Sequence, residues 1–175
     1  MMQVKRAGEI MIPLDKYPHV PYWFSLRQAI VEMEKSEIET YGRKSLPRII
    51  LVFNEEYQLL GTVRRRDILR GLEPDFLTGK PFEHRRKWFD MKVDPDISEL
   101  SYDKLINGIR ERSERKISDV MSPIVETVDH DDNIMTIISK MVDADLSLIP
   151  VLKEGKVMGV VRSVDVFHEI AELVL

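Results

Sequence analysis

Two stretches of the chain repeat the apolar spacing of an amphipathic helix. Leu26, Ala29, Ile30 and Met33 fall at i, i+3, i+4 and i+7 behind Ser25, whose hydroxyl can cap a helix while Gln28 completes a capping box. Ile134, Ile137, Ile138 and Met141 repeat that spacing behind Asn133, a second good N-cap. Each predicted helix is followed by two short apolar runs joined by polar turn residues, RIILVF and QLLGTV around NEEY, then SLIPVL and KVMGVV around KEG. That is the pattern of a β-hairpin. The second run of each pair leads into one shared phrase, GTVRRRDILRG from Gly61 and GVVRSVDVFHE from Gly159, which places Asp67 and Asp165 on the helix that follows. Upstream of the two helices, GEIMIP ends at Pro13 and SDVMSP at Pro123.

The chain therefore reads as an α+β protein built from two pseudo-symmetric β-α-β-β-α repeats, residues 1–71 and 117–175. One repeat alone leaves a sheet face uncovered, so the two are expected to pack together and share a core. The first copy has the longer connection after its helix, EKSEIETYGRKSLP, which reads as a surface insertion. Residues 72–116 form a connector of different character: Leu105, Ile106 and Ile109 predict one helix, and Phe82, Trp88, Phe89 and Met91 call for something to pack against.

Composition narrows the function. The 175 residues are 43% hydrophobic and 32% charged, with a net charge of −4, so no overall basic field favours nucleic acid or an anionic membrane. The basic-aromatic run EHRRKWF, Glu83–Phe89, suits a docking edge better than a nucleic-acid patch on an acidic protein. Cysteine is absent, which excludes disulfides, thiolate catalysis and cysteine-held metals. The stretch after Lys5 and Arg6 has no long apolar core, and no segment is long and apolar enough to span a bilayer, so a cytoplasmic protein is expected. Catalytic signatures are missing: His19, His84, His130 and His168 lack metal-ligand spacing, the HDD at His130 suits a helix start, DPD at Asp94–Asp96 lacks a calcium-loop series, and no P-loop, G-x-S-x-G or G-x-G-x-x-G occurs. The protein is not expected to be an enzyme.

The paired landmarks, DVMSP before a helix, LIPVL, and GVVRSVDVF, resemble a tandem of cystathionine-beta-synthase (CBS) domains, the regulatory Bateman module. The second copy carries nearly every landmark; the first has Leu51 where the second has Pro150. The resemblance implies a switch that binds an adenine nucleotide or a related ligand, such as AMP, ADP, ATP or S-adenosylmethionine, between the repeats. It also implies side-by-side homodimers, for which the apolar end IAELVL, with Ile170, Leu173, Val174 and Leu175, is suited. Any signal would pass to a target protein in trans.

The landmark residues have a physical reading of their own. A strand-end glycine permits close approach of backbone to a ligand, a helix start presents N–H groups to phosphate, and an Asp one turn into the helix can cap it or accept from a ribose diol. The expected site is that of the second copy: Asp165 on ribose, Arg162 on phosphate, Ile149 and Val125 against the base, and Pro150 stiffening the wall. Asp67 and Arg64 are their counterparts in a less defined first site. The most important departure from the family is that Arg64 and Arg162 stand where it usually has Ser or Thr. An arginine there can clamp phosphate, or fold back on Asp67 or Asp165 and fill the cleft, leaving a dimeric scaffold that binds no ligand.

Overall fold

The structure is a computed structural model that describes residues 3–74 and 95–175, with side chains described again from Tyr102. The run Glu83–Phe89, the packing of Phe82 and Met91, and Asp94 lie outside the described residues. The first half comprises α1 (Ala7–Ile10), β1 (Ile12–Pro13), β2 (His19–Pro21), α2 (Leu26–Lys35), β3 (Ile38–Thr40), β4 (Arg43–Ser45), β5 (Ile49–Phe53), β6 (Leu59–Arg64) and α3 (Arg65–Leu72). The connector helix α4 (Pro95–Arg112) leads to β7 (Ser122–Pro123), β8 (Val128–Asp129), α5 (Ile134–Ala144), β9 (Leu148–Lys153), β10 (Lys156–Arg162) and α6 (Ser163–Val174).

Both predicted caps form. The Ser25 hydroxyl accepts from the Gln28 amide while the Gln28 side chain accepts from the Ser25 amide, and the Asn133 side chain accepts from the Thr136 amide. Each helix start is thereby fixed, and α2 buries Leu26, Ala29 and Met33 while α5 buries Ile134, Ile137 and Met141.

The repeats exchange their first strands. One sheet runs β1-β10-β9-β8 and the other β2-β5-β6-β7, so β1 of the first repeat pairs with β10 of the second, and β7 of the second pairs with β6 of the first. The registers match: Pro13 faces Gly159, and Pro123 faces Gly61. The flanking backbone follows the same exchange. Ala7 and Gly8 donate to the carbonyls of Asp132 and His130, while Leu26 and Arg27 donate to those of Arg115 and Ser113. Each half has its own apolar core, and a third cluster of Ile12, Tyr17, Ile38, Leu51, Phe53, Leu148 and Val160 joins them.

This exchange explains the repeated glycines, and differently from the expectation that they admit a ligand. A Cβ at Gly159 would sit within contact distance of the Ile12 carbonyl, and one at Gly61 against the Ser122 carbonyl. The obstacle is the crossing strand's backbone, which cannot rotate away. Gly159→Ala is expected to destabilise the fold by about 1–3 kcal/mol, as overpacking does. Urea titration checks it, and an unchanged midpoint would show that the exchanged strand yields.

Several elements escaped the sequence reading: the four-residue α1, a second short strand before the helix of each half, and the hairpin β3–β4 within EKSEIETYGRKSLP, turned by Tyr41 and Gly42 at φ 52° and 72°. Two consecutive positive φ values give the tight turn whose twist matches paired strands. The connector helix is present as expected, but Leu105 and Ile109 on it are exposed.

Candidate functional site

At the start of α3 and of α6 the chain places the same ion pair. Asp67 accepts from the Arg64 amide at 2.9 Å, Arg64 Nε at 3.0 Å, Arg64 Nη2 at 2.9 Å and Arg70 Nη2 at 2.8 Å. Asp165 accepts from Arg162 Nε and Nη2, each at 2.8 Å, and from the Arg162 amide at 3.3 Å. Both carboxylates are buried, with Asp67 at 0% and Asp165 at 1% exposure. Burial alone would raise the Asp67 carboxyl, but the hydrogen bonds from Arg64 and the charges of Arg64 and Arg70 outweigh it and hold the carboxyl below its ordinary value. Of the two roles open to the arginines, the structure has both folded back on their aspartates in bidentate pairs. Neither aspartate presents a free oxygen to a ribose diol.

The expected grouping of site residues is also redrawn. Val125 and Pro150 line a cleft with Arg64, while Arg162 lies in the opposite one, and Ile149 is wholly buried in the core of the second half. Strand exchange is the cause. The β6–β7 pairing carries the segment after β7, including Ile124 and Val125, across to the first repeat's Arg64, so each cleft is lined by both repeats.

The first cleft holds about 280 Å³ between Arg64, Thr62, Ser122, Val125, Leu148 and Pro150. Glu126 and Asp145 line it too. Glu126 is paired with Lys140 at 3.3 Å, and the Thr127 amide and Lys140 hold its carboxyl below the ordinary value. Arg64, with 43% of its side chain exposed, keeps solvent contact beside its aspartate.

The second cleft is divided. A hollow of about 750 Å³ is lined by Pro13, Asp15, Lys16, Glu37 and Glu39, and a separate cavity of about 280 Å³ is lined by Arg162, Arg48, Ser45 and Ser163; Tyr17 lines both. Tyr17 is 3% exposed and its hydroxyl donates to the Ile49 carbonyl. The β3–β4 hairpin completes the partition. Arg162 Nη2 donates to Thr40 Oγ1 at 3.0 Å, Arg162 Nη1 reaches Ser45 Oγ at 3.5 Å, and the Tyr41 hydroxyl donates to Glu169 Oε1 at 2.8 Å. The Tyr41 ring also lies 3.8 Å, centroid to centroid, from that of His168. Burial and the Glu169 bond push the Tyr41 hydroxyl above its ordinary pKa, so it stays a donor. The insertion read as a surface loop is thus a wall of this cleft. Its Tyr-Gly pair was the one sequence signal of a turn there.

Among the described residues no cluster of His, Asp and Glu has the arrangement to hold a metal ion, and no helix is long and apolar enough to cross a membrane. The CBS domain family matches residues 117–172. No curated protein matches the chain. Among solved structures, the CBS domain of a CBS-domain-containing membrane protein from Sphaerobacter thermophilus aligns with a TM-score of 0.65 at 20% identity, over 95% of this chain and 87% of that one. A structure of CBSX2 in complex with AMP aligns at 0.63 and 18%, over 97% and 99%. The CBS-domain pair of protein MJ0100, solved with 5′-methylthioadenosine and S-adenosyl-L-methionine, aligns at 0.63 and 15%, over 98% and 99%. Residues 117–172 thus match a CBS domain in sequence, and the chain as a whole, with two strand-exchanged halves that align with such pairs along nearly their whole length, has the fold of a tandem CBS-domain pair.

Proposed function

We propose that the chain is a regulatory module that binds an adenine nucleotide in the first cleft and relays its occupancy to another protein. The observation that carries this reading is the first cleft itself, a cavity of about 280 Å³ shared by both repeats, with apolar walls at Val125, Leu148 and Pro150 and a cation at Arg64. It lies in a fold whose relatives have been solved with AMP and with adenosyl compounds. Carboxylates at Glu126 and Asp145 suit the amino group of an adenine, and Arg64 suits phosphate. Because Asp67 is sealed by Arg64 and Arg70, phosphate rather than ribose supplies the polar anchor.

The first cleft replaces the second as the preferred site, because Tyr17 and the hairpin keep a nucleoside from spanning the second cleft to Arg162. The repeats 1–71 and 117–175 act in this reading as one unit joined by 72–116, and two such units pair through the outer face of α6. There Val164, Phe167 and Val174 are 58%, 74% and 74% exposed.

A thermal-shift series with AMP, ADP, ATP, adenosine and S-adenosylmethionine tests the reading, since a ligand that binds only the folded state raises Tm. At a hundred times Kd the stabilisation is about 2.7 kcal/mol, equivalent to a few degrees for a chain of this size. Phosphorylated ligands are expected to shift Tm and adenosine far less. A flat response to all five returns the protein to the scaffold role, with Arg64 and Arg162 as plugs.

A further inference from the structure

The cavity at Arg162 has a lining unlike that of the other hollows. Arg48 and Arg162 contribute two guanidinium groups, and Ser45, Ser147, Ser163 and Tyr17 contribute hydroxyls, with no carboxylate residue in the lining. The hollow on the far side of Tyr17 is acidic on balance, with Asp15, Glu32, Glu37 and Glu39 in its lining beside Lys16. Arg162 is neutralised by Asp165, but Arg48 is exposed and makes no ion pair among the described residues, so its charge is uncompensated. The Tyr17 proton is taken by the Ile49 carbonyl and the Arg162 guanidinium by Asp165, Thr40 and Ser45, so the cavity offers Arg48, with its spare positive charge, and the hydroxyls of Ser147 and Ser163, a chemistry that suits a small phosphate-type anion.

Its position relates it to the first cleft. Ile49, Ser147 and Leu148 line both cavities, so the two spaces adjoin at the starts of β5 and β9. Arg64 lies in the first and Arg48 in the second. A chain of phosphates leaving a nucleotide at Arg64 therefore has a donor-lined space to enter, free of lining carboxylates. The nucleoside part has no such route in the opposite direction, because Tyr17 and the hairpin stand across it.

We infer that the Arg48–Arg162 cavity is a subsite for the terminal phosphates of the nucleotide held in the first cleft, which makes the ligand an adenosine di- or triphosphate rather than AMP. This rests on the nucleotide reading above and adds to it the length of the phosphate tail. Arg48 is the residue that discriminates. The free anion that shares this chemistry is pyrophosphate, and the two sources are distinguished by competition.

Calorimetry with AMP, ATP and pyrophosphate, on the intact chain and on Arg48→Gln, provides the test. Arg48 lies outside the buried ion pairs, so its replacement leaves the fold intact, and an unchanged Tm of the unliganded variant checks this. ATP is expected to bind at least tenfold more tightly than AMP, and pyrophosphate to compete with ATP but not with AMP. Arg48→Gln should bring ATP to within about threefold of AMP while leaving AMP binding unchanged. ATP no tighter than AMP, or equal losses for both in the variant, would overturn the subsite. Pyrophosphate that binds through Arg48 without weakening ATP would overturn the tail and leave a separate anion site in its place. If neither nucleotide binds, the nucleotide reading falls and the tail subsite falls with it; the reading stands alone if AMP binds and the Arg48 arms fail.

Discussion

A fragment of residues 117–175 is expected not to fold as a monomer, although it contains a whole sequence repeat. In the intact chain its sheet is closed on one edge by β1, and its core includes Ala7 and Ile10 from the other end of the sequence. Cutting at residue 117 removes both, leaves the outer edge of β10 unpaired, and exposes Leu148 and Val160, which pack against Ile12, Tyr17, Ile38 and Leu51. The remaining chain is below the size at which a single core comfortably supplies stability, and it carries an open apolar edge prone to pairing with other copies. Circular dichroism and sedimentation on the fragment should therefore report an unfolded or aggregated species. A monomer with a cooperative urea transition would show that the exchanged strand is dispensable.

The second large effect is expected at Asp165. Its carboxylate is 1% exposed, and the Arg162 side chain that it binds is 15% exposed, so Asp165→Ala strands a guanidinium with little access to water. Breaking a buried pair in this way costs about 3–5 kcal/mol, a large part of the 5–15 kcal/mol typical of a domain. Asp67→Ala should cost less, about 1–2 kcal/mol, because Arg64 and Arg70 are 43% and 52% exposed and can turn to solvent. Urea titrations of the two variants give the comparison. A third variant, Asp165→Ala with Arg162→Met, should regain much of the loss, since an apolar side chain of similar length replaces the stranded charge. Equal losses at the two aspartates, or no recovery in the double variant, would show that the burial of the arginine does not set the cost.

The parts of the fold that were legible in the sequence are those specified by local pattern. The helix stripes at Leu26–Met33 and Ile134–Met141, their caps at Ser25 and Asn133, and the hairpins β5–β6 and β9–β10 each carry a period or a turn signal within a few residues. Strand exchange leaves no such trace. β1 and β7 are two residues long, Ile12–Pro13 and Ser122–Pro123, too short for any alternation, and their partners lie far away in sequence. The candidate site depended on that exchange, because it determines which repeat's loop faces which arginine. Val125 was consequently expected beside Arg162 and lies beside Arg64. The hairpin β3–β4 was hidden for another reason: Arg43, Lys44 and Ser45 are all exposed, so β4 shows no apolar face, and its role lies in the polar contacts made by Thr40, Tyr41 and Ser45.

Those contacts bear on stoichiometry. A duplicated sequence with a pseudo-twofold axis ordinarily presents two equivalent sites, and two coupled sites in one chain can produce a sigmoidal response. The β3–β4 hairpin belongs to one copy only, and by dividing one cleft it removes the equivalence. On the proposed reading, with the nucleoside confined to the other cleft, a single chain is expected to titrate as one site along a simple hyperbola. Any steepness in the response to nucleotide concentration would then have to arise between chains, at the proposed α6 pairing face.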